Sequence, residues 1–127
     1  ATSIDADGVV DHGLVSQPEI ASGLREAGFA MHLQSIEEAF SISVSEAMAA
    51  GAVVVASPVG ALKERIQSGK NGILVPGDHQ SAETAGRAAE AILRLLRKPH
   101  RAEKIRRRAI GGVVDWDDVA LMWERLI

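Results

Sequence analysis

Glu38 and Glu46 stand with seven residues between them in the run EAFSISVSEAMAAG, residues 38–51. The first falls in what reads as a loop. The second falls inside a short helix that Ser41 or Ser43 can cap and that runs to Ala50. On that helix, Ile42 and Ala50 lie four residues to either side of Glu46, so no local cation pairs with it. Such a carboxylate is either a solvated helix residue or an acceptor for the hydroxyls of a bound ligand. Two carboxylates can also serve as acid and base of a hydrolase, but they must then face one bond with one pKa raised. The sequence supplies no such geometry. The backbone at Phe40, Ser41 and Ile42 offers another chemistry. A helix that begins just beyond the carboxyl end of a strand turns free N–H groups and its positive dipole end toward the crevice there, which suits an anion such as a diphosphate.

The elements around this run read as a series of βα units. Gly8 to Val15 is expected to be a first strand, after an irregular lead-in over residues 1–7. Ser16 and Glu19 have capping-box spacing, with Pro18 in the first turn, and open a helix through Ile20, Leu24 and Ala27 that Gly28 stops. Phe29 to Leu33 is the second strand. Gly51 closes the helix bearing Glu46 as a left-handed C-cap, and Ala52 to Ala56 is apolar throughout and rich in β-branched residues. A strand of that kind lies in the middle of a parallel sheet. Its carboxyl end opens into Ser57, Pro58, Val59 and Gly60, and ligands of open α/β sheets sit at that end. Gly60 is either a turn glycine or one that lets backbone approach a ligand. Ala61 to Gln67 is a short helix, Ser68 to Gly72 a turn, and Ile73 to Val75 a fourth strand.

The reading is therefore α/β, a Rossmann-like parallel sheet of about four strands with flanking helices and right-handed connections. The βα units occupy residues 8–78 and a helical tail occupies 79–127. In the tail, Ala82 to Arg97 carries Ala85, Ala89, Ile92 and Leu96 on one face. A basic helix follows from about Arg101 to Ile110, and its run of cations reads as a solvated face. Asp115 caps a last helix whose stripe of Trp116, Val119, Trp123 and Leu126 must dock on this domain or on a neighbour.

Composition narrows the function classes. A chain of 127 residues makes one domain and can bury about two-thirds of its unfolded surface. Hydrophobic residues are 46% and charged residues 24%, so neither disorder nor a membrane span is expected. With no cysteine there are no disulfides and no thiolate sites, which fits a reducing, cytoplasmic setting. A net charge of −3 with two Trp, two Phe and no Tyr argues against a nucleic-acid surface. No charged-then-apolar leader precedes the body, so no secretion signal is expected. The four histidines form no pair with metal-ligand spacing. His32, within an apolar strand, reads as a hydrogen-bonded structural histidine; His12, near a strand end, is more open to function, and His79 and His100 read as turn and helix-start residues.

The ordered series of residues resembles the retaining GT-B glycosyltransferases of family 4. Glu38 to Gly51 is similar to their E-x7-E signature, and Val53 to Ala56 to the strand after it. Gly60 and Glu64 are similar to the next turn and helix, and Asn71, Gly72, Leu74, Val75, Gly77 and Asp78 to the NG-x-LV-x-GD segment. Gly13 to Val15 and Trp116 stand where the family has its third nucleotide-domain strand and its late tryptophan. The resemblance spans nearly the whole chain from Gly8. It implies a donor domain in which Glu46 holds the ribose hydroxyls and Glu38, as the catalytic-site residue, contacts the donor sugar. The amides around Phe40, Ser41 and Ile42 would cradle the diphosphate, and the loop at Val15 and Ser16 would lie near the base, with Gly60 at the mouth of the crevice. No metal and no cofactor besides the nucleoside-diphosphate sugar is implied.

Two departures accompany it. Ser41 replaces the more usual glycine after Phe40, and Ala61 replaces the second glycine after Val59. The family also has two βα units and an N-terminal acceptor domain ahead of what corresponds to Gly8. This segment is therefore expected to lack transfer activity alone, to need that domain or a partner chain, and to sit in the cytoplasm, peripheral to a membrane in the complete enzyme. The remaining strands must pair directly, or another chain must cover an edge. Two further readings stay open. One is a non-catalytic nucleotide- or partner-binding module that forms a homo-oligomer through Trp116 and Trp123; the other is a phosphate-binding doubly wound domain of another family.

Overall fold

The computed structural model describes residues 6–127. Its sheet is parallel, with β1 (Phe29–His32), β2 (Val53–Ala56) and β3 (Ile73–Leu74) side by side in that order. β2 is central because every one of its residues is apolar and can be buried on both faces. Phe29, Ala30, Met31 and His32 face Val53, Val54, Val55 and Ala56 in register, and Val55 and Ala56 face Ile73 and Leu74. Alternation along β2 divides the core in two. Val54 and Ala56 pack with Val44, Ala47 and Met48 of α2 (Ile42–Ala49) and with Leu62 of α3 (Leu62–Arg65). On the other face, Val55 meets Ala88 of α4 (Ala82–Leu96), and Val53 meets Leu95 of that helix and Ile105 of α5 (Pro99–Gly111).

The expected helix starts hold. α1 (Gln17–Glu26) opens with the Ser16 N–H donating to the Glu19 carboxylate at 2.7 Å. α6 (Trp116–Leu126) opens with the Asp118 N–H donating to Asp115 Oδ1 at 2.9 Å. Gly51 has φ of +91°, the left-handed C-cap expected of it.

Three expectations are corrected. Residues 8–15 form no strand, so the sheet has three strands among the described residues rather than about four. A strand needs a ladder partner for its N–H and C=O groups, and the free edge of β1 offers none that this segment reaches. Val10 and Leu14 lie exposed, Gly8 and Gly13 hold φ of +79° and +62°, and the Asp11 carboxylate accepts the Gly13 N–H at 2.8 Å in a local turn. Of the lead-in, residues 1–5 lie outside the described residues. The second correction is rotational. α4 buries Thr84, Ala88 and Leu95, and of the expected face through Ala85, Ala89, Ile92 and Leu96 only Ile92 packs against this core, the other three being exposed. Alanines distinguish two adjacent helix faces poorly, and the leucine that reaches Val53 and Ile105 decides the rotation. The third concerns lengths: β1, α3 and β3 end one or two residues earlier than their apolar runs.

α6 buries none of its residues, and Trp116, Trp123 and Leu126 of its apolar stripe are exposed. The basic run behaves as a solvated face, with Arg106 and Arg107 both bonded to Glu103, at 2.6 and 3.0 Å, while Ile105 and Ala109 turn inward. No helix among the described residues is long and apolar enough to cross a membrane. Leu95→Ala is expected to cost about 2–5 kcal/mol, whereas Leu96→Ala should stay within about 0.5 kcal/mol. Urea unfolding of the two variants checks the rotation of α4.

Candidate functional site

At the carboxyl end of the sheet, the segment after β1 is tied to the segment after β2. Gln34 N–H donates to the buried Ser57 Oγ at 2.9 Å, and Ala61 N–H donates to the Glu38 carbonyl at 2.9 Å. Gly60 makes this approach possible. Its φ is +51°, and a Cβ there would stand 2.6 Å from the Glu38 carbonyl oxygen and 2.8 Å from the Glu38 nitrogen. A glycine is thus demanded by the protein's own loop, whatever binds nearby.

The loop holds Glu38 among polar neighbours. Its carboxylate accepts Gln34 Nε2 at 3.0 Å and lies 3.4 Å from His32 Nε2. Ser41, then Gln34, and to a smaller extent His32 hold Glu38 below the usual carboxylate range, against a smaller upward push from burial. Glu38 is therefore ionised at neutral pH and unsuited to the acid role of a hydrolase, which needs a raised pKa. His32 is not the self-contained structural residue that its strand suggests. Its Nε2 is shut off from solvent without a hydrogen-bond partner, and the Glu38 carboxylate is beside it.

Ser41 precedes α2 with φ of +64°, and it is the non-glycine residue with positive φ among the described residues. Left-handed backbone costs an L-residue about 1–2 kcal/mol, so the surroundings must hold it. They do so through Arg65, the last residue of α3. Its Nη1 donates to the Phe40 carbonyl and, at 3.2 Å, to the Ser41 carbonyl; its Nη2 donates to Ser45 Oγ at 2.7 Å. The guanidinium also lies 4.3 Å from the centre of the Phe40 ring. The Asn71 side chain steadies α3 from the far side, donating to the Arg65 carbonyl at 2.9 Å and accepting the Gln67 N–H at 2.8 Å.

Ser41 occupies the cap position of α2, but its side chain makes no capping bond to the helix. The N–H groups of the first turn are consequently left without side-chain acceptors. Glu46, one turn further on, is half-buried beside α1. It borders a groove of about 360 Å³ with Gln17, Ile20, Leu24 and Arg25, and a smaller one of about 190 Å³ with His32, Ser43 and Leu24. Val15 and Ser16 immediately precede α1, whose Gln17 borders the larger groove with Glu46; neither of the two lines that groove. Glu38, Phe40, Ser41 and Gly60 gather at the neighbouring loop, with Ile42 exposed at the helix start. Arg65, Gln34, Ser45 and His32 were not singled out from the sequence as site residues. The place of His32 at the carboxyl end of a strand is a signal that does point to it. Among the described residues, no group of three or more His, Asp or Glu is placed to hold a metal ion.

Residues 2–98 match the family of group 1 glycosyl transferases. The chain belongs to that family. It is 42% identical over 76 residues to a D-inositol 3-phosphate glycosyltransferase of Paenarthrobacter aurescens, covering 60% of this chain and 18% of that one. Sucrose-phosphate synthase of Thermosynechococcus elongatus has a similar fold, with a TM-score of 0.69 and 29% identity over 90% of this chain and 28% of its own. HepE of Anabaena, solved with UDP-glucose, has a TM-score of 0.68 at 24% identity, over 84% of this chain and 28% of its own. The chain thus spans about a fifth of the curated relative's length and 28% of each solved one. The resemblance to the GT-B glycosyltransferases read from Glu38 to Asp78 is borne out at the level of family and fold.

In this group 1 glycosyltransferase segment, the Glu38 carboxylate gives a direct test of the loop. Its lowered pKa stabilises the fold above the ordinary carboxylate range, and that contribution is lost as pH falls through the lowered value. Following the Glu38 side chain by NMR through an acid titration, Ser41→Gly should move its midpoint upward most, and Gln34→Leu should move it upward by less.

Proposed function

We propose that this chain forms the donor side of a retaining glycosyltransferase and binds a nucleoside-diphosphate sugar at the carboxyl ends of β1 and β2. The observation that carries the reading is the start of α2, where uncapped N–H groups follow a loop locked in a left-handed turn. Family membership makes a glycosyl donor the fitting anion.

In this reading the diphosphate lies against the amides of Ser41, Ile42 and the first helical turn. Glu46 accepts the ribose hydroxyls, and the base lies toward Val15, Ser16 and the start of α1. The ionised Glu38 faces the donor sugar, where it accepts hydroxyl hydrogen bonds and stabilises positive charge developing at the anomeric carbon. Transfer then breaks the bond between that carbon and the diphosphate oxygen and forms one to an acceptor hydroxyl oxygen on the same face. The hydroxyl proton passes to the departing diphosphate. Fixed amides and a helix dipole aimed at that growing negative charge lower the barrier without a metal. The acceptor is held by a further domain or a partner chain, and the segment by itself transfers nothing.

A second reading, a nucleotide- or partner-binding module without catalysis, draws on the exposed Trp116 and Trp123 of α6. Calorimetric titration with UDP, GDP and ADP separates the two, with inorganic phosphate and pyrophosphate as controls. The donor-site reading predicts saturable binding of one nucleoside diphosphate, weakened about tenfold by Glu46→Ala through lost charge-assisted hydrogen bonds. Indifference to all three, with dimerisation that Trp123→Ala abolishes, would favour the second. Equal binding of phosphate and nucleotide would point to a general phosphate site.

A further inference from the structure

Arg65 makes no ion pair among the described residues, although the nearby chain is rich in carboxylates. Its charge is instead shared over neutral acceptors. Two are consecutive backbone carbonyls, those of Phe40 and Ser41, and the third is Ser45 Oγ on the first full turn of α2. Burial lowers the Arg65 pKa, yet a guanidinium stays protonated. The rigid fork of the guanidinium therefore sets its two terminal nitrogens against one short stretch of chain, two backbone carbonyls and one hydroxyl.

The consequence follows from peptide planarity. In a trans peptide, the carbonyl of one residue and the N–H of the next point in opposite directions within one plane. Fixing the Phe40 carbonyl toward Arg65 fixes the Ser41 N–H away from it. Fixing the Ser41 carbonyl does the same for the Ile42 N–H. A left-handed Ser41 is what allows both carbonyls to face the same guanidinium, and the bond to Ser45 sets that pair against the helix. The guanidinium also lies over the Phe40 ring, which adds a contact to the same loop.

We propose that Arg65 is a positioning residue for the donor site. By clamping both carbonyls and Ser45, it keeps Ser41 in the left-handed conformation, so that the Ser41 and Ile42 amides face the diphosphate of the donor. The part of this that concerns the donor rests on the reading under Proposed function; the clamp itself does not. Because Arg65 acts on the backbone of the loop, its removal is compensated by whatever frees residue 41 to turn left-handed unaided, and glycine does so at no steric cost.

The test uses the full chain and four variants, Arg65→Met, Arg65→Lys, Ser41→Gly and the double variant Ser41→Gly/Arg65→Met, each measured for thermal unfolding and for binding of UDP. Methionine keeps much of the packing on Phe40 and removes every donor. Arg65→Met is expected to weaken UDP about tenfold and to lower Tm by about 4 °C or more. Arg65→Lys, which can reach a carbonyl but not all three acceptors, should fall between. Ser41→Gly alone serves as the reference for the double variant: whatever it does by itself, in the Arg65→Met background it should recover about a third or more of the lost binding free energy. Unchanged UDP affinity in Arg65→Met overturns the proposal, and so does a double variant no better than Arg65→Met, which would mean that Arg65 acts by its charge alone. UDP is replaced by GDP or ADP if the wild-type chain prefers one of those, and if it binds none of the three, the donor-site reading fails. The clamp is then judged by Tm: a gain from Ser41→Gly only when Arg65 is absent upholds it, and additive changes overturn it.

Discussion

β2 is buried along its whole length on both faces, and that constraint governs the rest of the molecule. Four consecutive apolar residues can leave water only if a layer of helices covers each side of the sheet. α2 and α3 supply one layer, and α4 with α5 the other. Parallel pairing with β1 and β3 then follows, because α2 and α3 are themselves the crossover connections between the strands. Strand direction is thereby common to all three, and the loops after β1 and β2 emerge at one end of the sheet. The crevice is a by-product of this layering: it forms where the strands end and α2 begins.

What the fold adds at that end is rigidity. Gly60 lets the loop after β2 lie against the backbone of Glu38 at a distance no side chain would permit. Ser57 and Ala61 bond the same two loops together, and Arg65 grips the turn at Phe40 and Ser41. Preorganisation of this kind matters for an anion site, because amides already pointing at the ligand need no reorganisation when charge grows on it. Glu38 fits the same scheme. Polar neighbours keep it ionised, and under the proposed function it would meet the donor sugar as an anion while the diphosphate meets the amides of Ser41 and Ile42.

Much of this was legible in the chain. The apolar run at Val53–Ala56 announced a central strand, Ser16 with Glu19 and Asp115 announced helix starts, and the pair Glu38 and Glu46 announced the crevice. The strand expected over residues 8–15 was not realised, because β-branched and apolar residues such as Val9, Val10, Leu14 and Val15 state a preference and a ladder partner decides it; Val10 and Leu14 have none. The face of α4 was misread because alanine at 85, 88 and 89 gives little contrast, while the contacts of Leu95 are long-range and invisible in a local window. Arg65 could not be found by pattern at all. Its three acceptors lie between 20 and 25 residues away in sequence and become neighbours only when α3 folds back over the start of α2.

The central claim is that the uncapped first turn of α2, with the turn before it, receives the donor diphosphate. The most direct measurement is the amide NMR spectrum of the nitrogen-15-labelled chain during addition of whichever of UDP, GDP and ADP it binds. The account predicts that the resonances of Ser41, Ile42, Ser43 and Val44 move most and saturate together, with Glu46 following and the α4 and α5 amides unmoved. Saturating shifts centred on another part of the molecule, or a titration that leaves residues 41–44 unmoved, would contradict it.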